Sequence, residues 1–178
     1  TYNMSLSRST NGTLETLVGS HEFKVNHLYN YEGIDMEFNQ SVDALMGRSN
    51  ELSATYSELN NVLNKLRAGL RNTPGANLED LSTARSIDVE LKKLGVLLNG
   101  NSTRKKREFE TASSLGDVTG LLAWGAYNHR GAPTGTMRTM KEDAEAMIAD
   151  AIALLEKIAD ELDQLETKAR EQGVPFWD

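Results

Sequence analysis

The stretch FNQSVDALMGRSNELSATYSELNNVLNKLRAGL, residues 38–70, decides the fold of this chain. Its repeating positions alternate four and three residues apart without a break, and they are Phe38, Val42, Leu45, Ser49, Leu52, Tyr56, Leu59, Leu63, Leu66 and Leu70. This spacing places one largely apolar seam along a single face of one long helix. A seam of that length needs a partner along the whole helix, so the stretch predicts extended helix-on-helix packing.

A second seam lies near the C-terminus and comprises Ile148, Ala151, Leu155, Ile158, Leu162, Leu165 and Ala169. Shorter apolar stripes between the seams predict two shorter helices, one with Leu78, Leu81, Ile87, Leu91, Leu94 and Leu98, the other with Leu115, Val118, Leu122 and Trp124. Short connections favour antiparallel neighbours. The predicted fold class is mainly α: an antiparallel up-down four-helix bundle with two long and two shorter helices, preceded by a short N-terminal β-hairpin.

Capping residues indicate where the first two helices begin. Asp35 is a suitable N-cap for the first long helix, which we expect to run to about Arg71 and to stop at the turn residues 72–75. Asn77 can cap the second helix, with Asp80 as its capping-box partner.

Similar signals bound the remaining helices. Gly100 ends the second helix, the third starts after Ser114, and the fourth starts within 134–136. The fourth helix ends at Gln172, and Gly173 supplies its C-terminal cap.

The first thirty residues have the pattern of strands. Tyr2, Met4 and Leu6 alternate with polar residues, the period of a half-buried strand, and Asn11-Gly12 is a hairpin turn signal. We expect two or three short strands, over 2–8, 13–18 and 21–26.

An isolated hairpin is marginal in water. The hairpin therefore either packs on the bundle or is the last piece of a β domain whose earlier strands precede Thr1, and we prefer the second interpretation. The expected domains are the hairpin at 1–28 and the helical bundle at 29–178.

The composition excludes several classes of protein. A net charge of −7 argues against a general nucleic-acid binder and against a partner that is an anionic membrane surface. The chain has no cysteine, so it can form neither disulfides nor thiolate metal sites. No apolar run approaches the length of a membrane span, so direct membrane insertion is not expected.

No catalytic constellation stands out. The histidines His21, His27 and His129 have no partner at metal-ligand spacing. The segment 131–136 could cradle an anion before a helix, but it lacks the lysine of a P-loop, and we interpret it as a loop with a helix cap. We therefore expect no catalytic residue, no bound metal and no cofactor.

Two segments are candidate interaction sites. The basic run Arg104, Lys105, Lys106 and Arg107 is either a solvated loop or a contact for phosphate or an acidic partner. Phe176 and Trp177 follow the last helix cap, and they either fold onto the end of the bundle or dock on a neighbouring domain.

Several segments in order resemble one family. After the strands at 2–25 come Leu63-Asn64-Lys65-Leu66, Thr73-Pro74-Gly75-Ala76, Leu91-Lys92-Lys93-Leu94, Leu97-Leu98-Asn99-Gly100, Ala132-Pro133-Thr134-Gly135-Thr136 and Gly173-Val174-Pro175-Phe176-Trp177. This order is similar to the C-terminal region of bacterial sortilin-type (VPS10-like) β-propeller proteins with BNR/Asp-box repeats, often labelled glycosyl hydrolases. In that family a secreted propeller is followed by a β domain and a helical region. The resemblance implies that the hairpin at 1–28 is the remnant of an immunoglobulin-like domain, since residues 2–25 look like the end of an immunoglobulin-like or FlgD-like β domain.

The resemblance implies a non-catalytic helical accessory domain at the C-terminus of an exported protein, periplasmic or at the cell surface. Its partner would be protein: its own propeller, or another copy in a homodimer. Two alternatives remain open. One is a free-standing module that dimerises or binds a partner helix through its seam. The other is part of a glycoside hydrolase whose active site lies outside this chain.

Overall fold

The computed structural model describes residues 1–10, 13–25 and 33–175. The chain divides into two units, Thr1–Glu32 and Gly33–Asp178. The elements in order are β1 (Tyr2–Thr10), β2 (Thr13–Phe23), α1 (Met36–Asn72), α2 (Leu78–Asn99), α3 (Ser102–Lys105), α4 (Leu115–Asn128) and α5 (Gly135–Glu171). The prediction of a mainly helical chain with a short N-terminal β-hairpin is confirmed.

The first unit is a two-stranded antiparallel sheet. Tyr2 pairs with Phe23 and Thr10 with Thr13, and the register shifts twice between Met4 and Ser7. Separate strands over 13–18 and 21–26 are expected, but a single strand, β2, covers this region as far as Phe23. It stays paired with β1 through both irregularities. The turn signal at residues 11–12 and the expected domain boundary at 28–29 lie outside the described residues.

In the second unit, the predicted N-caps Asp35 and Asn77 are confirmed, since each side chain accepts a hydrogen bond from a backbone N–H in the first turn of its helix. Ser114 and Thr134, near which the later helices were expected to start, cap α4 and α5 in the same way. These bonds satisfy donors that a helix start would otherwise leave unpaired. The expected capping role of Asp80 is wrong. This residue is buried, and its carboxylate accepts a hydrogen bond from the Gln172 side chain at 2.6 Å.

The C-terminus of α5 closes as expected. Gly173 has a φ of 70°, and the Val174 N–H donates to the carbonyl oxygen of Ala169 at 3.0 Å. This is the Schellman pattern, which turns the chain back across the last helical turn. Val174 is thereby buried beside Gly69 of α1.

Both seams are buried inside the helical unit. Of the seam in α1, eight residues are buried, and Tyr56 and Leu59 are partly buried. Of the seam in α5, only Leu155 is not fully buried. Two members of the shorter stripes are misplaced: Leu78 and Trp124 are 80% and 67% exposed. Ala84 and Thr119 take the core positions on those helices instead.

The helices α1 and α2 run antiparallel. Arg67 of α1 lies 3.3 Å from the carboxylate of Asp88, and the Tyr56 ring lies against Gly95 further along α2. Gly95 permits this approach, because a β-carbon there would lie 2.7 Å from the Tyr56 hydroxyl. Helix α2 ends about one turn beyond this contact, at Asn99.

The two long helices run in the same direction. Their first turns, represented by Phe38 and Arg138, line one cavity, and at the other end Val174 packs on Gly69. An up-down-up-down bundle places its first and last helices antiparallel, so the expected four-helix arrangement is not confirmed.

The position of α4 explains the difference. Its Gly116 lies beside the carbonyl oxygen of Leu98 at the end of α2, and its Gly125 lies beside Met137 at the start of α5. Helix α4 therefore continues in the direction of α2. The 22 residues of α2 and the 14 of α4 together match the 37 residues of α1 in length.

Candidate interaction surface

The basic run forms a compact turn between α2 and α4. Asn101 caps α3 by accepting a hydrogen bond from the Arg104 N–H at 3.0 Å. The Phe109 N–H donates to the carbonyl oxygen of Arg104 at 3.2 Å, and Glu108 adopts a positive φ of 58°. The run was expected to be a contact site or a solvated loop, and the structure shows an ordered turn with its four cationic side chains exposed.

Lys105 differs from its neighbours because it has a structural partner. Its ammonium lies 2.6 Å from the carboxylate of Asp117, which also accepts hydrogen bonds from the hydroxyl and backbone N–H of Ser114. The Lys105 bond, and next the Ser114 bonds, lower the pKa of Asp117 to about 2. Lys105 therefore ties the basic turn to the capping box of α4. In the part of the chain that the structure describes, Arg104, Lys106 and Arg107 form no ion pair.

A groove lies between this turn and α2. A cavity of about 420 Å³ is lined by Lys93, Val96 and Leu97 of α2, by Asn101 and Arg104, and by residues 110–113. Beside it, Val89, Lys92, Lys93 and Val96 line a second shallow depression. Lys93 and Val96 belong to both, so the two form one continuous surface, which we call the basic groove. Lys93 is held by Glu90 at 2.7 Å, and this hydrogen bond is the main cause of the lowered pKa of Glu90.

A second exposed surface lies on the outer face of α4. Leu121, Trp124 and Tyr127 are 59%, 67% and 90% exposed. Trp124 was expected in the core stripe, but it lies two positions from the buried Leu122, and a residue at that spacing points to the opposite side of a helix. Helical periodicity centred on Leu122 would have identified this face.

The other candidate positions have structural roles or lie outside the described residues. His129 hydrogen bonds through Nε2 to the carbonyl oxygen of Ala132 at 2.9 Å, and Thr134 caps α5. Phe176 and Trp177 lie outside the described residues. Within the described ranges, no cluster of three or more His, Asp or Glu side chains could hold a metal ion. None of the helices in these ranges is both long enough and apolar enough to cross a bilayer.

Comparison of the chain with family models, with curated proteins and with solved structures found no match.

Proposed function

We propose that the helical unit is a non-catalytic accessory and interaction domain at the C-terminus of an exported β-propeller protein. The observation that supports this most is which surfaces of the unit are buried and which are exposed. Both long seams are buried within the unit, while the basic groove and the outer face of α4 are exposed. A protein built in this way offers its outer surfaces, and not its seams, to partners.

We infer that the scaffold is a bundle of three rows: α1, α5, and the row formed by α2 followed by α4. Three of the four buried polar residues in the described ranges support a structural role for its interior. Thr119 donates its hydroxyl to the carbonyl oxygen of Leu115 at 2.8 Å, Ser114 belongs to the cap of α4, and Asp80 is held by Gln172. These groups stabilise helix ends and helix contacts, where an unpaired buried polar group would be costly.

The proposed partner is protein: the propeller of the same parent, or a second copy of this chain in a homodimer. Neither nucleic acid nor direct membrane insertion is part of the proposal. The exported location, periplasmic or at the cell surface, rests on the family resemblance. The two alternatives are a free-standing dimerisation module and a part of a glycoside hydrolase whose active site lies outside this chain.

Sedimentation velocity tests the proposal. The chain is run alone and then mixed with the separately produced polypeptide encoded upstream of Thr1. We expect a complex with that polypeptide or a concentration-dependent dimer, and sedimentation as a monomer in every mixture would contradict the interaction role.

The coding sequence immediately upstream of Thr1 tests the link to the parent. We expect repeated Ser-x-Asp-x-Gly-x-Thr/Ser-Trp boxes there. A start codon directly before Thr1 would favour the free-standing module. Hydrolysis of glycans by this chain alone would contradict the non-catalytic assignment.

A further inference from the structure

We propose that the basic groove binds an acidic polypeptide segment of a partner protein, with an apolar side chain of that segment seated on Val96. The inference rests on the proposed function, because it takes the partner to be a protein. It goes further by naming the surface that binds and the chemistry of its ligand.

The shape of the groove suits a peptide. Val89 and Val96, 51% and 47% exposed, form an apolar floor on α2, and residues 110–113 form the facing wall. Among the described residues, the backbone groups of 111–113 make no hydrogen bond to one another or to the rest of the chain. Open N–H and C=O groups beside apolar floor residues can pair with the main chain of a bound peptide while its side chains enter the groove.

The charge of the groove selects an acidic ligand. Arg104 lines the groove, and Lys106 and Arg107 follow it in the adjoining turn. All three are exposed and form no ion pair within the described part of the chain, although the whole chain has a net charge of −7. Glu110 is the one acidic residue among those that line the cavity, against the two cationic residues Lys93 and Arg104. An acidic segment is therefore attracted to this surface and repelled by the chain as a whole, which favours binding in one place.

The same features disfavour other polyanions. Nucleic acid and anionic membranes are extended, and they would bring the acidic remainder of the chain close to their own negative charge. The exposed valines of the groove floor contribute nothing to phosphate binding, and they do contribute to the binding of an apolar side chain.

The backbone at Glu108 supports a role for the turn. A φ of 58° is unfavourable for a residue with a side chain and costs on the order of 1–2 kcal/mol. The hydrogen bonds of Arg107 and Phe109 to the backbone of Arg104 hold this conformation. The turn therefore presents Arg104 and Arg107 from a fixed backbone, and less ordering is needed when a ligand binds.

The test is a fluorescence anisotropy titration of the full chain with a short labelled peptide in which Glu and Leu alternate. The groove variant is Arg104→Glu/Arg107→Glu. The matched control is Arg48→Glu/Arg85→Glu, which reverses the same charges at exposed positions on α1 and α2. We expect the wild type and the control to bind with an affinity that falls as salt is raised, and the groove variant to bind at least about tenfold more weakly.

Three results would overturn the inference: no binding of the peptide, equal weakening in both double variants, or tighter binding of a labelled single-stranded oligonucleotide or of phosphatidylserine vesicles. Sedimentation of the same variants separates this inference from the proposed function. If the groove variant still forms the protein complex at full strength, the groove assignment is wrong and the interaction role stands. If the wild type forms no complex in sedimentation, the proposed function is contradicted, whatever the peptide titration shows.

Discussion

Leu6 and Leu66 are both leucines in regular secondary structure, and their surroundings are opposite. Leu6 in the hairpin is 56% exposed, whereas Leu66 in α1 is fully buried. Helix α1 has α2, α4 and α5 to pack against, whereas every residue of the two strands is exposed in the part of the chain that the structure describes. Alternating apolar and polar residues therefore predict a strand correctly, but they do not predict that the apolar face of the strand is buried.

The largest expected effect tests this comparison directly. Leu66→Ala should lower the free energy of unfolding by about 2–5 kcal/mol, because it leaves a cavity in a packed core. Leu6→Ala should change it by no more than about 0.5 kcal/mol. Urea denaturation followed by circular dichroism at the helical minimum measures both. Similar losses in the two variants would mean that Leu6 is covered in solution.

Two glycines of α1 provide the same contrast between a packed and an open position within one helix. A β-carbon on Gly69 would lie 2.8 Å from Val174 and 2.9 Å from the carbonyl oxygen of Pro175. Gly69→Ala should therefore destabilise the helical unit by about 1–3 kcal/mol through overpacking. Gly47 has open space around it, so Gly47→Ala should stabilise the unit by up to about 1 kcal/mol.

Thermal unfolding of the two glycine variants provides the measurement. Gly19→Ala in the hairpin, where nothing lies within 4 Å, is the comparison from the other unit and should leave the helical transition unchanged. Stabilisation by Gly69→Ala would show that the segment after α5 does not pack on α1.

Gln172 joins the end of α5 to the start of α2. It donates to the buried carboxylate of Asp80 at 2.6 Å and accepts from the Asn77 N–H at 3.2 Å. Gln172→Ala leaves Asp80 without this donor, so we expect a loss of about 1–3 kcal/mol in urea denaturation. The control is Gln164→Ala at an exposed position of α5. Equal stability of the two variants would contradict this role.

A smaller effect is expected from pH. The pKa of Asp117 is lowered to about 2, so its stabilisation of α4 is fully present above its ordinary value of 3.8 and is lost as pH falls through about 2. Lys105→Met removes the largest cause and should raise this pKa, which NMR titration of the carboxyl carbon measures. Lys106→Met is the control and should leave the titration unchanged.

The hairpin contains an ion pair that can be compared with the Lys105–Asp117 pair of the helical unit. Arg8 and Glu15 lie 2.6 Å apart with 61% of each side chain exposed. A pair so exposed contributes at most about 1 kcal/mol. Breaking it with Arg8→Met should therefore have less effect on the hairpin than acidification has on the cap of α4. A larger effect, measured by strand NMR shifts, would show that the hairpin depends on this pair.

Local signals predicted the helices well and their arrangement poorly. A cap such as Asp35 and a seam such as 38–70 act within one helix, and both could be recognised in the sequence. Whether α4 turns back beside α2 or continues beyond it depends on how residues 100–114 fold. Glu108 is not a glycine, so its positive φ left no signal, and the turn that sets the direction of α4 could not be foreseen.

The candidate surface was predicted only in part. The four cations at 104–107 were visible as a run in the sequence. The basic groove beside them also needs Val96 from α2 and residues 110–113, which only the folded chain brings together. The pairing of Lys105 with Asp117 spans 12 residues without a regular period, so it too required the structure.

The break between α2 and α4 determines how a partner could approach. Residues 100–114 leave the row formed by α2 and α4 about one helical turn beyond Gly95, which lies against Tyr56 near the midpoint of α1. A ligand bound at this break would lie across the flank of the helical unit, alongside the middle turns of α1 and away from the cavity between the first turns of α1 and α5.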